Sequence, residues 1–512
     1  MLPITVKEIV HVCNGTLLCG DEDTLVTGAS TNSKEIEEGS LFIPIIGERV
    51  DGHKFIGMAV ENGAVCTFSS VHSEDDEELG KLGCACIRVE DNLKAFQTVA
   101  EYVRSKYDIP IVGITGSVGK TTTKEMISAA LETKMDVLKT AGNMNSQVGV
   151  SLMMFRLEEK HDAAVIEMGI SEPNEMANLS RIAKPCFAAV TNIGISHISQ
   201  FETQENICRE KLKIIDNFTD LSECDNTAEI FMKSLEQANL DEANVLFVNG
   251  DDEILKKIVA YKKDNSLECC LDNTTKEVIN KIKIISYGLS DNCDYKASNI
   301  KVVDGMSTFD VENNGKITSV KLNVLGKHNI YNALVAMAVA ECFGIDANMA
   351  ARGLREYRPP AMRGEIKKSN GIIVIDDSYN ASPDSMKGGI DILLSIEESK
   401  RRIAVLADMF ELGNESAKGH YSVGKYIAER TNKGLENKTA TVDMVISVGT
   451  DSKEIIKGIN DNCSCTVTYS FENNNEAIEF LTKELKEGDS VIVKGSRGMH
   501  TEEIVQAITN ND

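Results

Sequence analysis

Ile111-Val-Gly-Ile-Thr-Gly-Ser-Val-Gly-Lys120-Thr-Thr-Thr123 decides how the rest of the chain reads. Ile111 to Thr115 is a short apolar run after Pro110, the right length for one buried strand; glycines follow at once, and helical patterning begins near Lys120. Glycines at 116 and 119 let backbone N–H groups turn toward an anion. The helix start adds its positive end, Lys120 reaches terminal phosphates, and Thr121 offers a hydroxyl to Mg²⁺. Thr115, Gly116, Ser117, Val118, Gly119, Lys120, Thr121 and Thr122 therefore read as a cradle for a nucleoside triphosphate. The usual pattern has glycine five residues before Gly119; Ile114 stands there, with Gly113 one step off.

On either side of the cradle the texture changes. From Met1 to about Val89, short apolar runs broken by glycine (Ser40 to Gly47, Gly63 to Phe68) predict a small α/β unit ending in an acidic loop at Ser73 to Glu78. A helical stretch, Asn92 to Tyr107, leads into the cradle strand. Beyond it the strands Ala163 to Ile166 and Phe187 to Thr191 alternate with helical patterns, which predicts a parallel sheet covered by helices. Asp220 to Ile282 is rich in Asn, Asp, Glu and Lys without clear period and is expected to be, in part, a surface excursion. Arg358-Pro359-Pro360 stops a helix and marks a linker. After it, four apolar runs (Ile372 to Ile375, Ile403 to Leu406, Met444 to Val448, Ser490 to Val493), separated by helical stretches, predict a second, independent doubly wound sheet. Three domains follow, 1–89, 90–358 and 359–512.

Composition limits the function classes. With 42% hydrophobic and 26% charged residues over 512 positions, the chain can bury several cores. Lys+Arg total 54 against 79 for Asp+Glu, a net charge of −25, which disfavours nucleic acid and anionic membranes as partners. Any anionic substrate must be held by local positive potential. No apolar stretch reaches bilayer length, and Lys7 and Glu8 interrupt the place where a signal peptide needs its apolar core, so a cytoplasmic protein is expected. The 14 cysteines form no C-x-x-C pair and read as reduced thiols.

A phosphate cradle does not name a reaction. Glu167, in Ala163-Ala-Val-Ile-Glu-Met-Gly169, ends a strand where a parallel sheet opens toward its ligand, and a carboxylate there can hold Mg²⁺. His197, in Val190-Thr-Asn-Ile-Gly-Ile-Ser-His197, also follows a strand directly. The ordered set of cradle, Gly142-Asn-Met-Asn-Ser-Gln-Val-Gly149, Glu167-Met-Gly and Thr191-Asn-Ile…His197 resembles the ATP-binding middle domain of the Mur ligases, which build the peptide stem of peptidoglycan. That family shares the displaced first glycine.

The resemblance spans nearly the whole chain. It implies an α/β fold in three parts: a small UDP-binding domain, a central P-loop domain with a parallel sheet, and a C-terminal Rossmann-like domain. Gly326-Lys-His-Asn329-Ile-Tyr-Asn332 is similar to the adenine-contacting helix start, with Asn329 and Asn332 on one helical face. Arg363 matches the arginine that touches the nucleotide phosphates, and Asp376-Asp377-Ser-Tyr379-Asn380 matches the loop that closes over ATP, with Asp377 at the nucleotide or ribose. Leu406-Ala-Asp-Met-Phe-Glu411-Leu-Gly413…His420 and Val493-Lys494-Gly-Ser-Arg-Gly-Met499 resemble the branch that adds D-alanyl-D-alanine to UDP-N-acetylmuramoyl-tripeptide. Asn32-Ser33-Lys34, Leu41-Phe42 and Gly47-Glu-Arg-Val-Asp51-Gly-His53 are similar to the UDP-sugar domain of that branch. Lysine at 34 keeps the charge of the usual arginine without its bidentate contact.

The resemblance thus implies ATP, two Mg²⁺ sites with Mn²⁺ as an alternative ion, and Thr121, Glu167, His197 and Lys211 as metal-holding groups, Lys211 (in Arg209-Glu-Lys211-Leu) as a CO₂ carbamate. It makes Lys120, His197, Lys211 and Glu167 catalytic. Ser33, Lys34, Phe42, Gly47, Asp51, His53, Asn143, Asn145, Tyr379, Asn380 and Lys494 would touch the substrates. A monomer is expected. A Mur ligase that adds a single amino acid, a folylpolyglutamate-type ligase and, from another class, a nucleotide-regulated binding protein stay open.

Overall fold

The computed structural model describes the chain except residues 48–49, 74–80, 82, 220–243, 304 and 510–512, and every count below is of the described residues. The acidic loop expected at Ser73 to Glu78 falls, beyond Ser73, outside them.

Nine strands form the central sheet. From one edge they run Val137–Lys139, Ala163–Glu167, Ile111–Thr115, Phe187–Val190, Val245–Asn249, Lys283–Gly288, Tyr295–Val303, Met306–Asn313 and Lys316–Leu322. The first seven are parallel and the last two complete an antiparallel meander. Strand side chains alternate between faces, and here both faces are apolar. Ala164, Ile166, Ala188, Val190, Leu246 and Val248 pack into one core, while Ala163, Val165, Phe187, Ala189, Val245 and Phe247 pack into the other. Two-sided burial explains why these strands read as continuous apolar runs. The second core is closed by the helices Lys120–Leu131 and Lys327–Cys342, which pack on each other.

The 220–282 stretch, expected to be in part a surface excursion, also holds core structure. Its first part, 220–243, lies outside the described residues, but Val245–Asn249 is an interior strand with Val245 to Val248 fully buried, and the helices Leu255–Lys263 and Asn273–Lys281 lead into the next strand. A polar setting with little period hid a five-residue strand. Only its neighbours in the sheet, Phe187–Val190 and Lys283–Gly288, make it a core element.

The third zone is a separate six-stranded sheet in the order Glu365–Ser369, Ile372–Asp376, Asp489–Lys494, Arg401–Ala407, Met444–Val448 and Val467–Phe471. The four apolar runs are its four interior strands, all parallel. The two edge strands were not anticipated; half-exposed side chains such as Ile366 and Val467 give them no continuous apolar run. Strands Ile372–Asp376 and Asp489–Lys494 lie side by side although more than a hundred residues apart, and so bring Asp377 and Lys494 together at their C-terminal ends. The first zone holds a five-stranded sheet between Thr16 and Arg88 and a two-stranded ladder, Ile4–Thr5 with Leu25–Val26. The helix Asn92–Arg104 packs against both the first helix, Val6–Cys13, and the central helices Gln147–Met154 and Glu175–Ala183.

Candidate active site

A cleft of about 740 Å³ opens between the central and third zones. The cradle forms one wall. Strand Ile111–Thr115 delivers it, and helix Lys120–Leu131 starts from Gly119, whose φ of +86° suits a residue without Cβ. Gly116 has φ +144°, and a Cβ there would stand 1.9 Å from Thr191 Oγ1. The next strand end clasps the loop: Asn192 Oδ1 accepts from Val118 N–H at 2.9 Å, Ser117 N–H donates to Asn192 O at 3.0 Å, and Gly194 N–H donates to Ser117 Oγ at 2.9 Å. The signal for Asn192 and Gly194 lay inside the Thr191-to-His197 motif, yet only the sheet order makes them supports of the loop.

Lys120 and Lys211 both donate to Gly116 O, at 2.8 and 3.2 Å. Burial pulls the Lys120 ammonium below its ordinary value, with Arg363 adding to the effect and Glu167 opposing it. Lys211, buried beneath the loop, is held well below the ordinary lysine value by burial first and then by the charge of Lys120. Lys211 therefore does not line the cleft with the other expected metal groups; it underpins the loop.

Glu167 ends its strand where expected. Its Oε2 accepts from Thr121 Oγ1 at 2.9 Å and its Oε1 from Asn145 Nδ2 at 2.8 Å. Thr121 and Glu167 put a hydroxyl and a carboxylate oxygen side by side beside the loop, the donor type that Mg²⁺ takes, so this pair fits the ion. His197 lines the same cleft, but its Nδ1 lies 3.0 Å from Glu411 Oε2 of the third zone. No group of three or more His, Cys, Asp or Glu able to hold a metal occurs among the described residues.

Asn329 and Asn332 do share a helical face, and they bond to each other at 3.2 Å. Asn332 Oδ1 also accepts from Thr123 Oγ1 at 3.0 Å, and Asn329 Nδ2 donates to Leu325 O. The pair thus ties helix Lys327–Cys342 to the cradle helix while bordering the cleft. Thr122 and Asn143 border it too. Thr115 is buried behind the loop with its Oγ1 unpartnered.

The third zone supplies the opposite wall. Arg363 stacks on the Tyr379 ring, 3.9 Å from its centroid, and no acid of the described residues pairs with it. Lys494, 4% exposed in its side chain, bonds to Asp377 Oδ2 at 2.6 Å and Asn380 O at 2.9 Å. Asp377, expected at the ribose, is thus an ion-pair partner of the expected substrate lysine. Asp384, at the first turn of helix Pro383–Leu394, reaches Gly194 and was not anticipated.

The expected UDP-sugar residues lie elsewhere, in the first zone. Phe42 is 1% exposed in a core with Ile56, Ala59 and Ala64; it packs the sheet and has no surface to offer a ligand, because its strand is covered on that side by helix Ile56–Glu61. His53 is also inward: Nδ1 lies 2.6 Å from Asp51 Oδ1, and Nε2 faces Asn92 Nδ2 and Ser70 N–H. Asp51 Oδ1 also accepts from His53 N–H at 3.0 Å, and Gly47 N–H donates to Val50 O at 3.0 Å. Ser33 is buried, its hydroxyl on Met58 Sδ, while Lys34 is exposed.

A phosphate loop on one parallel sheet, facing a second parallel sheet across a shared cleft, is the architecture of an ATP-dependent ligase built in three parts. Residues 114–271 and 233–340 match the Mur ligase middle domain, 362–497 the Mur ligase glutamate ligase domain and 25–104 the Mur ligase family catalytic domain, and the chain belongs to the Mur ligase family. It is 32% identical to the UDP-N-acetylmuramoyl-tripeptide–D-alanyl-D-alanine ligase of Bacillus subtilis over 510 residues, 99% of this chain and 98% of that one. The protein of that name from Escherichia coli is 28% identical, covering 100% of this chain and 99% of its own length. In fold, the chain matches MurF from Acinetobacter baumannii with a TM-score of 0.81 at 24% identity, over 99% of both chains. MurF from Thermotoga maritima in complex with ADP matches at 0.74 and 24%, over 94% of this chain and 97% of that one. No helix among the described residues is long and apolar enough to cross a membrane.

Proposed function

We propose that this chain is the ATP-dependent ligase that joins D-alanyl-D-alanine to UDP-N-acetylmuramoyl-tripeptide. The observation that carries the reading is full-length similarity to proteins of that name, 32% identity with 99% coverage, on a chain whose phosphate loop faces Arg363 and Lys494 across one cleft. A carboxylate is a poor electrophile and must be activated. ATP passes its γ-phosphoryl group to the tripeptide carboxylate, ADP leaves, and the free amine of the dipeptide attacks the acyl phosphate; the C–O bond to phosphate breaks, phosphate carries the electron pair away, and the proton shed by the nitrogen leaves with it as hydrogen phosphate. The protein contributes position and charge. Lys120 and Arg363 are the cations for the phosphates, and Lys494 is placed to meet a carboxylate once Asp377 releases it. These local charges offset a net charge of −25.

Mg²⁺ on Thr121 and Glu167 would neutralise phosphate charge; a second Mg²⁺ or a Mn²⁺ at His197 is a further part of the reading. Burial first, and then the charge of Lys120, disfavour the ammonium form of Lys211, and the amine form is the one that adds CO₂ with loss of a proton. We assign the residue ranges 1–89, 90–358 and 359–512 to UDP-sugar, ATP and dipeptide binding, in a monomer acting in the cytoplasm.

The test is phosphate release by the purified chain with ATP, Mg²⁺, UDP-linked tripeptide and D-alanyl-D-alanine, each omitted in turn. Release with a single amino acid in place of the dipeptide, or without any amine, defeats the assignment.

A further inference from the structure

The 408–413 loop of the third zone is held with more bonds than a surface loop needs. His420 is fully buried; its Nε2 accepts from Met409 N–H at 2.9 Å, and its Nδ1 is 2.8 Å from Ser416 O. Those partners set the tautomer: Nδ1 carries the hydrogen and donates to the carbonyl. Buried Asp408 accepts from Thr450 N–H at 3.0 Å and Ser452 N–H at 2.7 Å, and Phe410 N–H donates to Ser496 Oγ at 2.8 Å. The loop so fixed crosses the cleft. Gly413 abuts Ser199 in the helix that begins after His197, and Glu411 Oε2 lies 3.0 Å from His197 Nδ1.

Both residues of that contact have left-handed backbones, φ +65° at Glu411 and +60° at His197. Histidine enters that region more readily than most residues, whereas a glutamate there is uncommon and must be held by its surroundings. A contact whose carboxylate is 63% exposed adds little to stability. Stability alone does not account for a loop held so firmly against so weak a contact. Orientation does: a carboxylate on Nδ1 fixes the ring and leaves Nε2, which has no partner among the described residues, as the nitrogen available to the cleft.

On the ligase reading above, we propose that Glu411 is a positioning residue for His197, supplied across the cleft by a loop that His420, Asp408 and Ser496 lock in place. The residue that orients the imidazole comes from the third zone, which also lines the cleft with Arg363 and Lys494.

Glu411 is a loop side chain, so its replacement leaves the fold intact, which circular dichroism checks. Glu411→Ala should lower kcat in the phosphate-release assay roughly tenfold to a hundredfold with KM for ATP unchanged. Glu411→Gln keeps an oxygen to accept from Nδ1–H and should restore kcat to near the wild-type value. In ¹⁵N-histidine spectra of the full chain, assigned with His197→Gln, the His197 Nδ1 resonance should shift in the alanine variant and hold in the glutamine variant. An alanine variant with unchanged kcat, a glutamine variant as damaged as alanine, or an unmoved His197 resonance overturns the proposal. A wild-type chain that releases no phosphate defeats the ligase reading instead, and the spectra still decide the contact.

Discussion

Gly116→Ala is the sharpest single perturbation of the cradle. The new methyl carbon would lie 1.9 Å from Thr191 Oγ1, 3.0 Å from Thr191 Cβ and 3.1 Å from Thr191 N, and it would sit on a backbone with φ +144°. An L residue in that region costs about 1–3 kcal/mol. The hydroxyl cannot swing away freely, because it donates to Val118 O and so holds the loop; releasing it forfeits about another 1 kcal/mol. The free loop will relax to escape the clash, and ATP must then force it back, so the sum of about 3 kcal/mol appears as roughly a hundredfold weaker nucleotide binding. Calorimetric titration with a non-hydrolysable ATP analogue reads it. Adding Thr191→Ala to the glycine variant removes the 1.9 Å contact but restores neither the relaxed backbone nor the hydroxyl bond to Val118 O, so affinity should stay within about threefold of the single variant. Binding by Gly116→Ala within about threefold of the wild type would show that the loop is not shaped by this close approach.

Lys494→Met strips the partner from Asp377 and should cost on the order of 3 kcal/mol in urea titration and abolish turnover, while adding Asp377→Asn recovers stability without activity. Glu8 is held down to about 2 from an ordinary 4.5 by hydrogen bonds from Thr5 N–H, Tyr102 and Lys106, joining the first helix to helix Asn92–Arg104. A depressed carboxylate contributes stability that is present above its unfolded value and lost as pH falls through the folded one. Glu8→Gln should therefore lower the stability at pH 7 by about 1 kcal/mol after solvent screening, read by urea titration, and the gap should close between pH 4.5 and about 2. A carbamate on Lys211 should give a signal in ¹³C spectra of protein kept in ¹³C-bicarbonate, absent in Lys211→Gln; no difference between the two rejects a carbamate at this position. Glu167→Gln should raise the Mg²⁺ concentration needed for half-maximal phosphate release by at least tenfold, in keeping with the loss of a charged oxygen donor.

Much of this protein was legible from local pattern. A buried parallel strand must be apolar on both faces, so Ile111 to Thr115 and the interior strands of the third zone announce themselves, and a loop that wraps an anion needs glycine at fixed places. The family resemblance rested on such short motifs, and the matched domains agree with it. Partnership was not legible, because it depends on which strand ends the topology makes neighbours. Asp377 and Lys494 are 117 positions apart and pair because their strands adjoin; Glu411 meets His197 because a loop of one sheet crosses to another. Val245–Asn249 is a core strand only through its neighbours, and Phe42, which in sequence looks like a ligand contact, is enclosed by a helix. Spacing along the chain determines which residues can turn toward a phosphate, whereas the packing of distant segments alone decides which charges are neutralised, which side chains are buried and which are left free to react.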